Sequence, residues 1–452
     1  MKVRIHSGKT RTPKAQPGKR RGKAFRRKKK PAAAGKANRL RKRRRTVSKK
    51  TKRKLRNGGM HGAAVSLDHP APLPVSETAI LRTYLPGVNL IGTSRAESGI
   101  GESCRLAAKS LQTTNIPYGI KNIAFSPSRT SDDSWAHKEI PEAIYKVNII
   151  HMNADSLQAI DRSLLEGRYN IGVWHWELPD FPNEWLGAFD LVREVWAPSR
   201  FILESVSRKS TVPVLRIPHG IEVYVPEGIG RDFFGLPGGR FLFLSMYDTF
   251  SYAQRKNPHG AIEAFQSAFA PDDPGVGLVI KVNNPQSEIV ETAAAELHKL
   301  RERVAGWSNI FLIEGTLSRA EVNALMNAAD CFVSLHRSEG FGLGLAESMY
   351  LGKPVIGTNW SGNTDFMNSM NSCTVDYRLV PVGVDYGPYK AYQYWADPDI
   401  EHASHYMRRL VQDAAWRELI AGRGQATVRS EFSPQAAGAL MAQRLRRMKL
   451  LG

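Results

Sequence analysis

The run Ser334-Leu-His-Arg-Ser-Glu-Gly-Phe-Gly-Leu-Gly-Leu-Ala-Glu347 sets two carboxylates on either side of a glycine-rich turn. Its pattern predicts an apolar strand over 331–335, a loop over 336–342, and a helix that opens near Leu343 and carries Glu347 in its first turns. A strand, a glycine loop and a helix N-terminus in that order make an anion site. Gly340, Gly342 and Gly344 let backbone N–H groups approach a ligand with no Cβ in the way, and the helix end adds a positive partial charge of about half a unit. A diphosphate suits such a place. Glu339 stands before the glycines and Glu347 beyond the turn, so one carboxylate can face a sugar and the other a ribose.

Outward from this turn the run continues as Ser-Met-Tyr-Leu-Gly-Lys-Pro-Val355 and then Ser361-Gly-Asn363. Glu339 and Glu347, separated by seven residues within these flanks, resemble the donor-site signature of the retaining GT-B glycosyltransferases of family 4, the glycosyltransferase group 1 type. The resemblance implies an α/β chain of GT-B fold, two Rossmann-like doubly wound domains facing a central cleft. It implies a hexosyl group moved from a nucleoside diphosphate sugar to an acceptor hydroxyl, with retention at the anomeric carbon. Glu339 and the loop Gly340, Phe341, Gly342 and Leu343 would then hold the donor, with Glu347 on its ribose. A basic pair that grips the donor diphosphate in this family is matched by Lys256 with Arg255 beside it, although the commoner pattern places the Arg several positions earlier. Gly99 and Gly101, after an early strand, resemble the loop that faces the cleft from the first domain. Gly362 and Asn363 are read as a further turn facing the donor.

His175 lies in Trp174-His-Trp-Glu-Leu-Pro-Asp-Phe-Pro182 at the end of an apolar run, where doubly wound sheets bind ligands. It is a candidate to contact the donor sugar or orient the acceptor, and the two indoles are candidates to stack on sugar faces. Glu339, Lys256 and His175 are thus the expected catalytic set. No metal and no cofactor are expected, because cations on a leaving diphosphate do the work a metal does elsewhere. Asp397-Pro-Asp399 has the spacing of a metal-binding DxD, but it follows the donor domain and is read, with Trp395, as shaping a loop. The expected partners are a nucleotide-sugar donor, with UDP, GDP and dTDP all open, and a glycan or lipid-linked acceptor.

Of the 64 Lys and Arg, 27 fall within residues 1–59, which contain no Asp or Glu, so the net charge of +22 belongs to that tail. With few apolar residues it cannot bury a core and is expected to be disordered. Three readings stay open for it: nucleic-acid binding, attachment to an anionic membrane surface, or an extension dispensable to an enzyme that starts at Met60. The second class of function is therefore a basic-tailed nucleic-acid or membrane-surface binding protein with an inactive GT-B part. Cys104, Cys331 and Cys373 form no close pair, and no apolar run is long enough to span a bilayer, which points to a cytoplasmic protein, peripheral on the inner membrane face at most.

Residues 60–86 read as a Pro-rich linker and 87–225 as an N-terminal acceptor domain, with strands at 88–92, 118–124, 147–152, 171–176 and 214–219. Glycines and prolines over 221–238 mark a boundary. Residues 239–430 read as the donor domain, with strands at 241–245, 277–282, 310–314 and 353–357 and helices at 260–268, 287–304, 318–329 and 404–412. Residues 431–452 form a last helix, which by analogy crosses back to the first domain.

Overall fold

The computed structural model describes residues 4–6, 84–124, 126–285 and 293–451. Strands β2 (Leu85–Gly92), β3 (Tyr118–Asn122), β4 (Tyr145–His151), β5 (Tyr169–Val173), β6 (Glu194–Ala197) and β7 (Val214–Arg216) form one parallel sheet in the order β3-β2-β4-β5-β6-β7. Every residue of β5 is buried, as expected for a parallel strand covered on both faces. Register is pinned by three buried amides: Asn89 Nδ2 donates to Asn148 Oδ1 at 2.9 Å, and Asn148 Nδ2 to Asn170 Oδ1 at 2.7 Å. A one-residue slip would leave all three unpaired in the core.

The second sheet contains β8 (Phe241–Asp248), β9 (Val276–Asn283), β10 (Ile310–Glu314), β11 (Cys331–Ser334), β12 (Val355–Thr358) and β13 (Cys373–Val375), all parallel, in the order β10-β9-β8-β11-β12-β13. The order reverses between β8 and β11. Chains leaving the carboxyl ends of these two neighbours diverge to opposite sides and open a crevice between them. The loops after β8 and β11 carry Lys256 and Glu339, so the topology brings together residues 83 positions apart.

A further strand, β1 (Arg4–His6), lies antiparallel on β10 at the sheet edge. The tail was expected to lack regular structure throughout, and these three residues depart from that by taking up the free backbone groups of an edge strand. The rest of the tail, the linker up to residue 83 and the first turns of the helix expected over 287–304 lie outside the described residues.

The chain returns to the first sheet at its end. Helix Pro434–Arg447 lies on helix Gly99–Gln112 so closely that a Cβ on Gly438 would stand 2.3 Å from Ser110 O. Arg444 meets the fully buried Glu194 at 2.5 Å. Met441, Ala442 and Leu445 join the core made by β2 and β4.

Several sequence expectations are corrected. The strand expected over 171–176 stops at Val173, and Trp174 and Trp176 turn inward. Trp174 stacks on Phe181 and Trp176 on Tyr389, so neither indole offers a free face to a sugar. Asp397 and Trp395 shape no loop: they lie in β15 (Tyr394–Pro398), the antiparallel partner of β14 (Tyr377–Pro381). Asp397 is paired with Arg337 at 3.3 Å, and Asp399 caps helix Ile400–Gln412. This hairpin and helix Ala414–Glu431 had no counterpart in the sequence reading.

Candidate functional site

The carboxyl ends of the two sheets face each other across a cleft of about 650 Å³. Helix Leu343–Tyr350 opens on it. Gly342, at φ +93°, is the residue before that helix and supplies the left-handed turn that aims the first free N–H groups outward. Gly362 fixes the turn from behind. Its N–H donates to Glu339 O at 2.9 Å, and a Cβ on it would stand 1.9 Å from Gly340 O.

Both oxygens of Glu339 are held. Lys256 Nζ is 2.5 Å from Oε1 and Arg255 Nη1 is 3.5 Å from Oε2. Burial alone would raise this carboxyl, but the Lys256 ammonium and the Arg255 guanidinium outweigh it and bring its pKa down to about 2. Glu339 is therefore an anion throughout the working pH range. Lys256 lines the cleft as the more exposed of the two cations. Arg255 is buried and occupied: Nη1 donates to Ser338 O at 2.9 Å, Nη2 stands 3.6 Å from Glu177 Oε1, and the guanidinium lies over the Tyr389 ring. Both cations of the expected pair line the cleft, Lys256 as the more exposed and Arg255 held by contacts within the protein.

Glu347 sits one helical turn past the loop, buried, with Oε1 2.5 Å from Arg319 Nη2. Arg319 in turn stands 3.5 Å from Glu102 of helix Gly99–Gln112, and Glu102 meets Arg105 at 2.8 Å. Arg319 therefore ties Glu347 to a carboxylate of the first sheet's domain. Gly99 lines the cleft; Gly101 instead meets the loop before its helix, where a Cβ would stand 2.2 Å from Ala96 O. Phe341 is buried edge-on to His219, and Leu343 lines the cleft. Asn363 faces inward: it donates to Thr358 O at 2.9 Å and lies 3.0 Å from His336 Nε2, so it braces the loop and does not face the donor.

His175 lines the opposite wall with His151 and His219. Its Nε2 is 3.3 Å from His219 Nε2, and His151 Nδ1 is 2.9 Å from Ser103 Oγ. Burial lowers His175 to about 4 and His151 to about 3, so this wall is neutral at pH 7.

Like His151 and His219, the cleft residues Lys281, Arg319 and Tyr389 escaped the sequence reading. Lys281 is buried in β9, donates to Asn283 Oδ1 at 3.0 Å, and is lowered by burial to about 8. Its signal was a lone Lys inside the apolar run Leu278-Val-Ile-Lys-Val282. Arg319 and Tyr389 carry no local signal, since their roles come from partners far away in sequence. Among the described residues no group of three or more His, Cys, Asp or Glu is placed to hold a metal ion, and no helix is long and apolar enough to cross a membrane.

Residues 236–373 match the family described as "Glycosyl transferases group 1". No curated protein matches the sequence. Among solved structures the chain is similar to Alr3699/HepE of Anabaena in complex with UDP-glucose, with 16% identity, a TM-score of 0.60, and coverage of 80% of this chain and 100% of that one. It is also similar to the sucrose-phosphate synthase of Thermosynechococcus elongatus, with 14% identity, a TM-score of 0.60, and coverage of 81% and 100%. A glycosyltransferase from Rickettsia africae gives 13% identity and a TM-score of 0.57, with coverage of 81% and 99%. Two parallel sheets facing one cleft, with the matched residues forming one of its walls, identify residues 236–373 as a glycosyltransferase group 1 domain within a GT-B fold.

Proposed function

We propose that this chain is a retaining hexosyltransferase of the family 4 type, moving a hexosyl group from a nucleoside diphosphate sugar to the hydroxyl of a glycan or lipid-linked acceptor. Glu339, gripped at both oxygens beside a helix N-terminus, is the observation that carries the reading. As the glycosidic bond to the diphosphate breaks, positive charge builds on the anomeric carbon and negative charge on the leaving oxygen. The anionic Glu339 lies on the sugar side. Lys256 and the N–H groups at the start of helix Leu343–Tyr350 lie on the diphosphate side, already oriented, so little reorganisation is needed at the moment of transfer. The acceptor hydroxyl attacks from the same face that the diphosphate leaves, and the departing phosphate oxygen takes its proton. The Lys256 ammonium and the helix end serve the leaving group, so transfer is proposed to persist in EDTA.

The acceptor enters from the wall of His151, His175 and His219, neutral groups that can donate or accept hydrogen bonds to hydroxyls. We place the reaction in the cytoplasm, at or near the inner membrane face, in glycan or polysaccharide assembly. A panel of UDP-, GDP- and dTDP-hexoses assayed for hydrolysis and transfer tests the proposal. Glu339→Ala and Lys256→Ala should each lower turnover by about 10²–10³-fold, the scale of losing one group that stabilises transition-state charge. Near-normal rates in both variants would refute it.

A further inference from the structure

Outside the matched residues, the hairpin of β14 and β15 carries a loop over 382–393 that reaches across the cleft to the first domain. Tyr392 OH lies 3.3 Å from Asp180 Oδ2, and Gln393 Nε2 donates to Asp180 O at 3.3 Å. Val382 and Tyr389 are buried in the same core as Trp174 and Trp176. Tyr386 and Tyr389 exchange both backbone hydrogen bonds, at 2.9 and 3.0 Å, around Gly387 at φ +55°. A Cβ at Gly387 would stand 2.0 Å from Tyr252 OH, so the tight turn rests directly on the loop after β8.

This turn delivers one hydroxyl to the site. Tyr389 OH donates to Glu177 Oε2 at 2.9 Å, while Glu177 Oε1 faces Arg255 Nη2 at 3.6 Å. Arg255 then reaches the oxygen of Glu339 that Lys256 leaves free. We propose that Tyr389 is a positioning residue for the sugar-side carboxylate: its hydroxyl orients Glu177, Glu177 orients Arg255, and Arg255 sets the angle of Glu339. Burial raises the Tyr389 phenol well above its ordinary range, so it stays a donor at any working pH. The three-member chain draws on both domains and on a hairpin outside the matched family region, so the carboxylate is correctly set only when both walls are in place. The inference rests on Glu339 serving the donor sugar.

Tyr389→Phe tests it, because the ring keeps its stack on Trp176 and its place over Arg255 and loses only the O–H. With UDP-glucose, or whichever hexose of the panel the wild-type chain turns over best, kcat should fall roughly tenfold, the scale of one hydrogen bond to a charged group. KM and the calorimetric affinity for the bare nucleoside diphosphate should stay within about twofold, and the unfolding midpoint should be unchanged. Glu177→Gln should lower kcat similarly, and the double variant should be no slower than Glu177→Gln alone, since the hydroxyl acts through that carboxylate. An unchanged kcat in Tyr389→Phe, additive losses in the double variant, or a parallel loss of nucleotide affinity would each overturn the inference while leaving the transferase reading intact. A wild-type chain inert toward the whole panel would remove the transferase reading and this inference with it.

Discussion

The two walls of the cleft solve opposite electrostatic problems. On the donor side Glu339 stays ionised while buried, because two cations from the loop after β8 reach it across the sheet's switch point. On the other side His151 and His219 are buried and His175 half-buried, with no carboxylate bound to any ring nitrogen among their hydrogen-bond partners, and they give up their charge instead. Buried groups either find counter-ions or neutralise. Which course is taken depends on what the neighbouring loops supply. One wall thereby keeps its charges, and the other is neutral.

The contrast is broken most severely at Arg319, the cation that joins the walls. Arg319→Ala leaves Glu347 and Glu102 facing each other without their shared partner. Removing one member of a buried charge pair costs about 3–5 kcal/mol, so chemical denaturation should show a large loss, and Arg319→Lys should recover part of it. An unchanged midpoint would mean that the two walls are not joined by charge.

Acid sharpens the contrast next. The folded imidazoles of His175 and His151 take protons only near pH 4 and 3, against 6.5 for the unfolded groups. Between these values the unfolded chain binds more protons, so stability is present above pH 6.5 and lost as pH falls toward 4. From pH 7 to 5 each such imidazole should cost about 2 kcal/mol. Glu339 contributes little over that window, since its stabilisation is lost only as pH falls from the unfolded carboxyl's 4.5 toward about 2. Urea denaturation at pH 7 and pH 5 should show the loss, and His151→Asn should shrink it by roughly one imidazole's share. Equal shrinkage in Glu339→Gln would contradict the assignment.

The finest difference lies within the donor wall. Glu347→Gln should weaken binding of bare nucleoside diphosphate by about 1.5 kcal/mol, roughly tenfold in Kd, because a ribose contact is made in every bound state. Glu339→Gln should leave that affinity nearly untouched and act on turnover. Calorimetric titration of both variants decides it, and the reverse outcome would exchange the two roles.

Sequence alone was enough for the βα rhythm and the turn from Glu339 to Glu347, because those follow from hydrophobic period, glycine placement and spacing within one short run, while the GT-B architecture was implied by the resemblance of that run to a family signature. Such signals are local, and the partners of each group are not. Arg255 is basic and next to Lys256, and only the folded packing shows that Ser338, Glu177 and Tyr389 hold it from within while it lines the cleft. Trp174 and Trp176 looked like stacking surfaces because aromatics at a strand end can face either way, and the core beneath the hairpin loop turned them inward. Asn363 looked like part of a ligand-facing turn until His336 and Thr358 closed around its amide. The residue types and their order were written in the chain. Whether a charge is paired, and whether a ring is exposed or packed, depends on groups brought from far along the chain, 212 positions for Tyr389 and Glu177 and 250 for Arg444 and Glu194, and only the folded packing decides it.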